Sequence, residues 1–376
     1  MKNSHGQLVV LAAGGTGGHL FPAQALAETL VKRGFRTQLM TDERVRDYGK
    51  SFPAEKTHVV HSASPSLSDP LGLPKRIWKL WSGCRAAKNI LRAERPAAVI
   101  GFGGYPSFPP IYAAASLGIP SAVHEQNAVL GRANKMLSKK VNAVAASFGS
   151  MIGLPDEAKS KLVLTGNPVR AVALNEKAAL YPTQELFSLV VFGGSQGAKF
   201  FSDFMPQVFA EMPEILRKKI ILTQQCREED LPRVKAAYDK LGLKSELQAF
   251  FNDMPKRIAS SHLVISRSGA STIAELGVIG RPAIMVPLPH AIDNDQLRNA
   301  QSFAEAGAGW VCPQKELEPK SFAALLARLI GDRPSLKKAA ESALSHGKPD
   351  AAERLADLVE KIIARQTAAS LEKRTS

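Results

Sequence analysis

Short apolar runs recur along this chain with helical stretches between them. LVVLA (8–12), RTQLM (36–40), AAVIG (97–101), SAVHE (121–125), VNAVAAS (141–147) and KLVLTG (161–166) are each short enough for a strand and mostly apolar throughout. Runs of that kind are buried on both faces, and the helical stretches between them predict a parallel sheet with crossover helices. The pattern then restarts. SLVVFGGSQGAKF (188–200) repeats the apolar run, glycine turn and small-polar helix start of LVVLAAGGTGGHLFP (8–22), so the architecture is duplicated. KKIILTQ, SELQAFF, HLVIS, PAIMVP and GWVCP supply the strands of the second half. From about 315 the chain reads as helical, with its last ten residues polar and expected to be disordered.

One predicted helix stands apart. PKRIWKLWSGCRAAKNILRAERP runs from Pro74 to Pro96, with Ile77, Leu80, Trp81, Cys84 and Leu91 on the stripe expected to pack on the sheet. Trp78 falls off that stripe beside Arg85, an exposed aromatic among cations, as at a bilayer interface.

The glycine turns bring in chemistry. Gly14, Gly15, Thr16, Gly17, Gly18 and His19 end the first strand and open a helix, where unpaired N–H groups and the helix dipole favour an anion. Ala12 and Leu20 break the dinucleotide fingerprint in either register, and Ala198–Lys199 after Gly197 breaks the P-loop pattern. Gly101, Gly103, Gly104, Tyr105 and Ser107 form a second loop at the same sheet edge. A third strand ends in His124, Glu125, Gln126 and Asn127, where a parallel sheet places its ligand crevice, though Asn127 also suits a helix cap. In the second half Ser268, Gly269 and Ala270 open a helix bearing Thr272 and Glu275, which suits a diphosphate with a carboxylate one turn in for ribose. First-turn dipole complementation is the lesser reading of Glu275. Asp293, Asn294 and Asp295 match a D-x-D pattern, but N–H groups already neutralise phosphate here, so no metal is called for. Asp42, at the end of the second strand, keeps a nicotinamide-dependent oxidoreductase open.

Length, charge and cysteines narrow the classes. With 376 residues the chain exceeds one ordinary core. Cys84, Cys226 and Cys312 are odd in number and lack ligand spacing, against a disulfide framework or zinc site and in favour of a reducing cytosol. No apolar signal region precedes the first strand and no run is long enough to span a bilayer, so a secreted or integral membrane protein is not expected. A net charge of +15 with pI near 9.7 calls for an anionic partner. Between Lys75 and Arg95 seven Lys or Arg face a single acid, Glu94, around two of the three tryptophans. Charge alone also fits a nucleic-acid or lipid adaptor, yet clustered polar loops at strand ends exceed what an adaptor needs.

Taken together, GGTGGHLFP (14–22), GFGGYPS (101–107), HEQN (124–127), GNPVR (166–170), GGSQGA (193–198), SRSGASTIAE (266–275) and DNDQLRNA (293–300) resemble, in order and spacing, the GT-B glycosyltransferases, and among them the N-acetylglucosaminyltransferases that make lipid II of peptidoglycan. The resemblance implies an α/β, GT-B fold: two Rossmann-like parallel-sheet domains facing an interdomain cleft. It divides the chain into an acceptor- and membrane-binding domain (1–168), a UDP-sugar domain (169–347), a helix returning to the first domain (348–366) and a tail (367–376). It implies that Arg170 and Ser195 contact the nucleotide, Ser268 to Ala270 the diphosphate, Glu275 the ribose and Gln296 the sugar hydroxyls. A main-chain group near Phe251 would read the uracil. Thr16, Gly17, Gly18 and Asn127 would close over the donor sugar, and Tyr105 and Glu125 would line the acceptor side. The implied reaction is inverting transfer from UDP-N-acetylglucosamine to the C4 hydroxyl of a muramoyl sugar on undecaprenyl diphosphate. Its partners are that donor, that acceptor and the cytoplasmic face of an anionic membrane met through the Trp78/Trp81 region. It implies no nucleic acid and no cofactor. The alcohol needs a base, for which His19 comes first and Glu125 second. A UDP-sugar epimerase or another lipid-directed GT-B enzyme is the alternative.

Overall fold

The computed structural model describes residues 6–15, 17–43, 52–63, 72–194, 197–289 and 292–375. They form two units, Met1–Arg170 with Asp350–Ser376, and Ala171–Pro349.

The first unit is built on seven parallel strands: β1 (Leu8–Ala12), β2 (Arg36–Thr41), β3 (Lys56–Val59), β4 (Ala98–Gly101), β5 (Ser121–Glu125), β6 (Ala143–Ala146) and β7 (Leu162–Leu164). Their order is β3-β2-β1-β4-β5-β6-β7. Alternating residues of β1 serve two cores, as the pleat requires. Val9 and Leu11 pack with Leu26 and Leu30 of the helix Gly17–Lys32 and with Leu355, Val359 and Ile362 of the C-terminal helix. Leu8 and Val10 pack on the opposite face with Ala87, Leu91 and Ile111. The C-terminal helix, Ala351–Thr375, is held to this unit by Arg33, whose guanidinium meets Glu353, Asp357 (2.7 Å) and Glu360 (3.0 Å). That helix continues to Thr375, through residues expected to be disordered, because 367–375 hold neither Gly nor Pro to stop it.

The second unit repeats the winding. Its strands are β8 (Phe187–Phe192), β9 (Ile220–Gln225), β10 (Lys244–Gln248), β11 (Leu263–Ser266), β12 (Ala283–Met285) and β13 (Gly309–Val311), ordered β10-β9-β8-β11-β12-β13 and all parallel. In both sheets the strand order reverses beside the first strand, the place where a parallel sheet binds ligands outside the carboxyl ends of its strands.

The basic helix Leu73–Glu94 is turned differently from its expected stripe. Ile77 and Trp81 are 53% and 58% exposed and join Trp78, at 66%, on the surface, and the Arg85 guanidinium stacks on Trp81 rather than beside Trp78. The reason is Gly83: a Cβ there would stand 2.0 Å from the His61 carbonyl oxygen. Close approach at Gly83 turns Ala87 and Leu91 inward, and at 100° per residue Trp78 then lies opposite Ala87.

Candidate functional site

In the first unit four loops leave the carboxyl edge of the sheet next to one another. Gly14 sits so tightly that a Cβ would lie 2.9 Å from both Pro106 Cβ and Thr41 Oγ1, and Gly15 has φ 85°. Thr16 lies outside the described residues. Gly17 and Gly18 begin the helix that carries His19, and a Cβ on Gly17 would meet the Phe21 ring at 2.9 Å. Arg170, from the loop after β7, stacks on Phe21, its guanidinium carbon 4.9 Å from the ring centroid.

The second loop gives His19 its bed. Gly103 and Gly104 have φ of 82° and 67°, and side chains there would stand 3.4 and 3.3 Å from the imidazole. Only glycine allows that backbone and that approach together. Tyr105, half-buried, lines with Gly15, Asp42, His61, Lys79 and Gly104 a cavity of about 400 Å³.

The loop after β5 carries most of the polar order. His19 Nδ1 lies 3.1 Å from Gln126 Oε1, Gln126 Nε2 lies 3.0 Å from His124 Nδ1, and His124 Nε2 lies 2.9 Å from the Gly166 carbonyl oxygen. His124 is wholly buried, which pushes its imidazole down to about 4 and leaves it neutral at neutral pH. Glu125 is turned inward. Its Oε1 accepts from the Asn127 main chain (3.1 Å) and side chain (3.3 Å), and its Oε2 from Gly131 N (2.9 Å) and Asn134 Nδ2 (2.9 Å). Four donors fill a carboxylate's acceptor sites, so the expected second base is occupied in bracing its own loop. Sequence reading placed Gln126 at the expected crevice without giving it a role, and missed Asn134. The available signal was a buried-face Asn amid Ala133 and Leu137, and an amide placed two residues from a histidine.

The second unit builds its edge from main chain. Gly193 N donates to Gln225 Oε1 (3.2 Å), and Gly194 and Gly197 have φ of 93° and 66°; Ser195 lies outside the described residues. Ser268 is fully buried and its hydroxyl donates to the Gln296 carbonyl (2.8 Å), while Asn299 Nδ2 donates to the Ser268 carbonyl (3.2 Å). The hydroxyl expected at a diphosphate is thus spent in tying two loops together. Gly269 caps the helix Ala270–Ile279 in extended conformation, and its Cβ side is open. Glu275 is buried in the second turn of that helix, past the first turn where dipole complementation acts. Gln296 Oε1 accepts from Leu288 N (3.1 Å). Phe251 is 4% exposed under the Arg257 guanidinium (4.4 Å), whereas Phe250 is on the surface. Phe251 follows β10 and leads into the helix Met254–Ala259, which packs on the helix Ala270–Ile279. A further missed residue, Arg267, is buried and donates to the Val286 (3.0 Å) and Pro287 (3.1 Å) carbonyls and to Gln314 Oε1 (2.6 Å), pinning the loop that starts the helix.

Among the described residues no group of three His, Cys, Asp or Glu side chains is placed to hold a metal. Asp293 and Asn294 adopt left-handed backbone (φ 58° and 55°), and Asp295 Oδ1 accepts from Gln296 N (2.7 Å). Among the described residues no helix is long and apolar enough to cross a membrane.

Residues 9–146 match the glycosyltransferase family 28 N-terminal domain, and residues 188–355 match the glycosyltransferase family 28 C-terminal domain. The chain is 49% identical over 361 residues to the UDP-N-acetylglucosamine--N-acetylmuramyl-(pentapeptide) pyrophosphoryl-undecaprenol N-acetylglucosamine transferase of Agrobacterium fabrum, covering 94% of each. Its structure resembles the crystal structure of Acinetobacter baumannii MurG with a TM-score of 0.77 at 28% identity, covering 94% of this chain and 99% of that one. It also resembles a UDP-GlcNAc 2-epimerase from Neisseria meningitidis (TM-score 0.65, 14% identity, 94% and 100% covered), a likeness of fold alone.

Proposed function

Because this chain belongs to glycosyltransferase family 28, we propose that it moves N-acetylglucosamine from UDP-N-acetylglucosamine to the C4 hydroxyl of the muramoyl sugar on undecaprenyl diphosphate, with inversion, making lipid II from lipid I. The observation that carries this reading is the 49% identity across 94% of the chain to a transferase named for that donor and acceptor. The epimerase alternative rests on a 14% likeness and is not favoured.

The first unit takes the acceptor and the second the donor. His19, lying on glycines beside the Tyr105 cavity, is the base that removes the C4 proton as the anomeric centre becomes oxocarbenium-like. Glu125 holds the Asn127 loop in place of serving as a base, and Asn127 with Thr16, Gly17 and Gly18 closes over the donor sugar. Tyr105 lines the acceptor side. In the second unit the main-chain N–H groups at Gly269 and Ala270, rather than the Ser268 hydroxyl, meet the diphosphate and stabilise the charge gained by leaving UDP. Arg170 and Ser195 add nucleotide contacts, Glu275 binds ribose, main chain near Phe251 reads uracil, and the Gln296 amide nitrogen is left for a sugar hydroxyl. The surface of Ile77, Trp78 and Trp81, among Lys75, Arg76, Arg85 and Lys88, holds the enzyme peripherally to the cytoplasmic face of an anionic membrane.

The test is UDP release by the purified chain. UDP should appear from UDP-N-acetylglucosamine only when a polyprenyl-diphosphate muramoyl acceptor is added. No release under any condition, or sugar interconversion without acceptor, overturns the reading.

A further inference from the structure

The hydrogen bonds behind His19 run in one direction, and that direction is set by an atom far from the substrate. The Gly166 carbonyl oxygen can only accept, so His124 Nε2, 2.9 Å away, carries the proton. His124 is wholly enclosed, with Phe102 against its ring (5.6 Å between centroids), and a second ring proton would bury an unpaired charge. Its Nδ1 is therefore a lone pair, which must be met by a donor.

Gln126 supplies that donor. Its amide nitrogen lies 3.0 Å from His124 Nδ1 and 3.1 Å from the His124 carbonyl oxygen, two acceptors that together fix which end of the amide is nitrogen. Rotating the amide would set its oxygen against a lone pair and a carbonyl. Gln126 is 2% exposed, so no water stands ready to repair the reversed arrangement. The amide oxygen is consequently the end that faces His19, 3.1 Å from Nδ1, and an oxygen there requires Nδ1–H. A neutral His19 so held has its lone pair on Nε2, the nitrogen lying against Gly104 beside the cavity.

We propose that Gln126 and His124 are positioning residues that lock His19 as the Nδ1–H tautomer, presenting Nε2 as the base toward the acceptor hydroxyl. During transfer the hydroxyl proton passes to Nε2, the hydroxyl oxygen bonds to the anomeric carbon and the bond to UDP breaks. The resulting imidazolium keeps its Nδ1–H bond to the Gln126 oxygen, so no group in the chain has to turn. A neutral amide is suited to this duty, since it orients the ring without adding a charge to a buried chain.

This inference rests on the role given to His19 above, and its test reads the tautomer apart from turnover. Long-range proton–nitrogen correlation spectra of the full chain labelled with 15N-histidine, assigned with His19→Gln, should show His19 protonated at Nδ1. In Gln126→Leu the signal should move toward the Nε2–H form, kcat should fall about 10²-fold and KM for UDP-N-acetylglucosamine should stay within about threefold. Gln126→Glu, which still presents an oxygen to Nδ1, should keep the Nδ1–H signal, while kcat stays at least about tenfold below wild type because its second oxygen faces the His124 lone pair and carbonyl with no proton to donate. A wild-type His19 protonated at Nε2 overturns the proposal, as does a Gln126→Leu protein with an unchanged His19 signal or with kcat within about threefold of wild type. Should Gln126→Leu fail to fold, the wild-type spectrum and Gln126→Glu decide. A wild-type chain that shows the Nδ1–H signal but no acceptor-dependent UDP release refutes the transferase reading and leaves the tautomer lock standing.

Discussion

Each unit encloses one histidine at the end or edge of a strand, and the two have opposite uses. His124 and His262 are both wholly buried, and burial pushes both imidazoles down to about 4. His124 passes its hydrogen bonds outward through Gln126 to His19. His262 turns inward: Nδ1 accepts from Ser188 N (3.0 Å), Phe187 stacks on the ring (5.2 Å) and Tyr181 meets it edge-on (5.7 Å). Its Nε2 has no partner among the described residues. A shifted titration is thus common to a structural histidine and to one wired to a site. What separates them is whether the second ring nitrogen leads to a group at the surface.

That contrast fails most visibly if His19 is not the outlet. His19→Ala should lower kcat for transfer about 10²- to 10⁴-fold with UDP affinity kept, measured by steady-state UDP release and by UDP titration. Retained turnover would leave the His124 chain without a purpose. The next largest effect concerns stability and treats the histidines alike. Each has a folded value below the unfolded one of about 6.5, so the unfolded state takes up protons first as pH falls. Stability is fully present above about pH 6.5 and is lost between there and pH 4, by up to about 3 kcal/mol per histidine. Urea midpoints at pH 7 and pH 5 should show this loss, and His124→Phe and His262→Phe should each reduce it. Only the first should also reduce turnover; a His262→Phe protein that folds and loses activity would erase the distinction.

Two smaller effects contrast the units as surfaces. Trp78→Ser with Trp81→Ser should weaken binding to anionic vesicles about tenfold in a sedimentation assay, while Ile215→Ser, at an exposed position of the second unit, should not change it. Equal losses would show that the membrane contact is not confined to the first unit. Glu275→Ala should raise the donor KM several-fold and leave the acceptor KM alone; parallel changes in both would remove the ribose role.

Much of the fold was legible because burial on both faces writes itself as unbroken apolar runs. β1 and β8 are enclosed almost throughout and read directly as strands. β3, Lys56–Val59, was not recognised, since an edge strand with exposed Lys56, Thr57 and Val59 carries no such run. The helix at 73–94 was recognised but its facing was not, because Trp81 and Ile77 look like packing residues until Gly83 is seen to admit the His61 carbonyl. At the site, residue types in glycine turns marked where ligands approach. They did not reveal that Ser268 and Glu125 are consumed by internal hydrogen bonds, since the partners of Ser268 lie about thirty residues away and those of Glu125 include Gly131 and Asn134.

By itself the sequence determined the two wound sheets, the order of their glycine turns and the membership in family 28, since these depend on local propensity and on residue identities read in line. Tertiary structure alone decided the hydrogen-bond order behind His19, and with it which of its nitrogens we propose as the base. That choice depends on a carbonyl at Gly166, an amide at Gln126 and the complete enclosure of His124, three features separated by up to 147 positions from the ring they orient. Hydrogen-bond direction is a property of the closed network, and no stretch of the chain contains it.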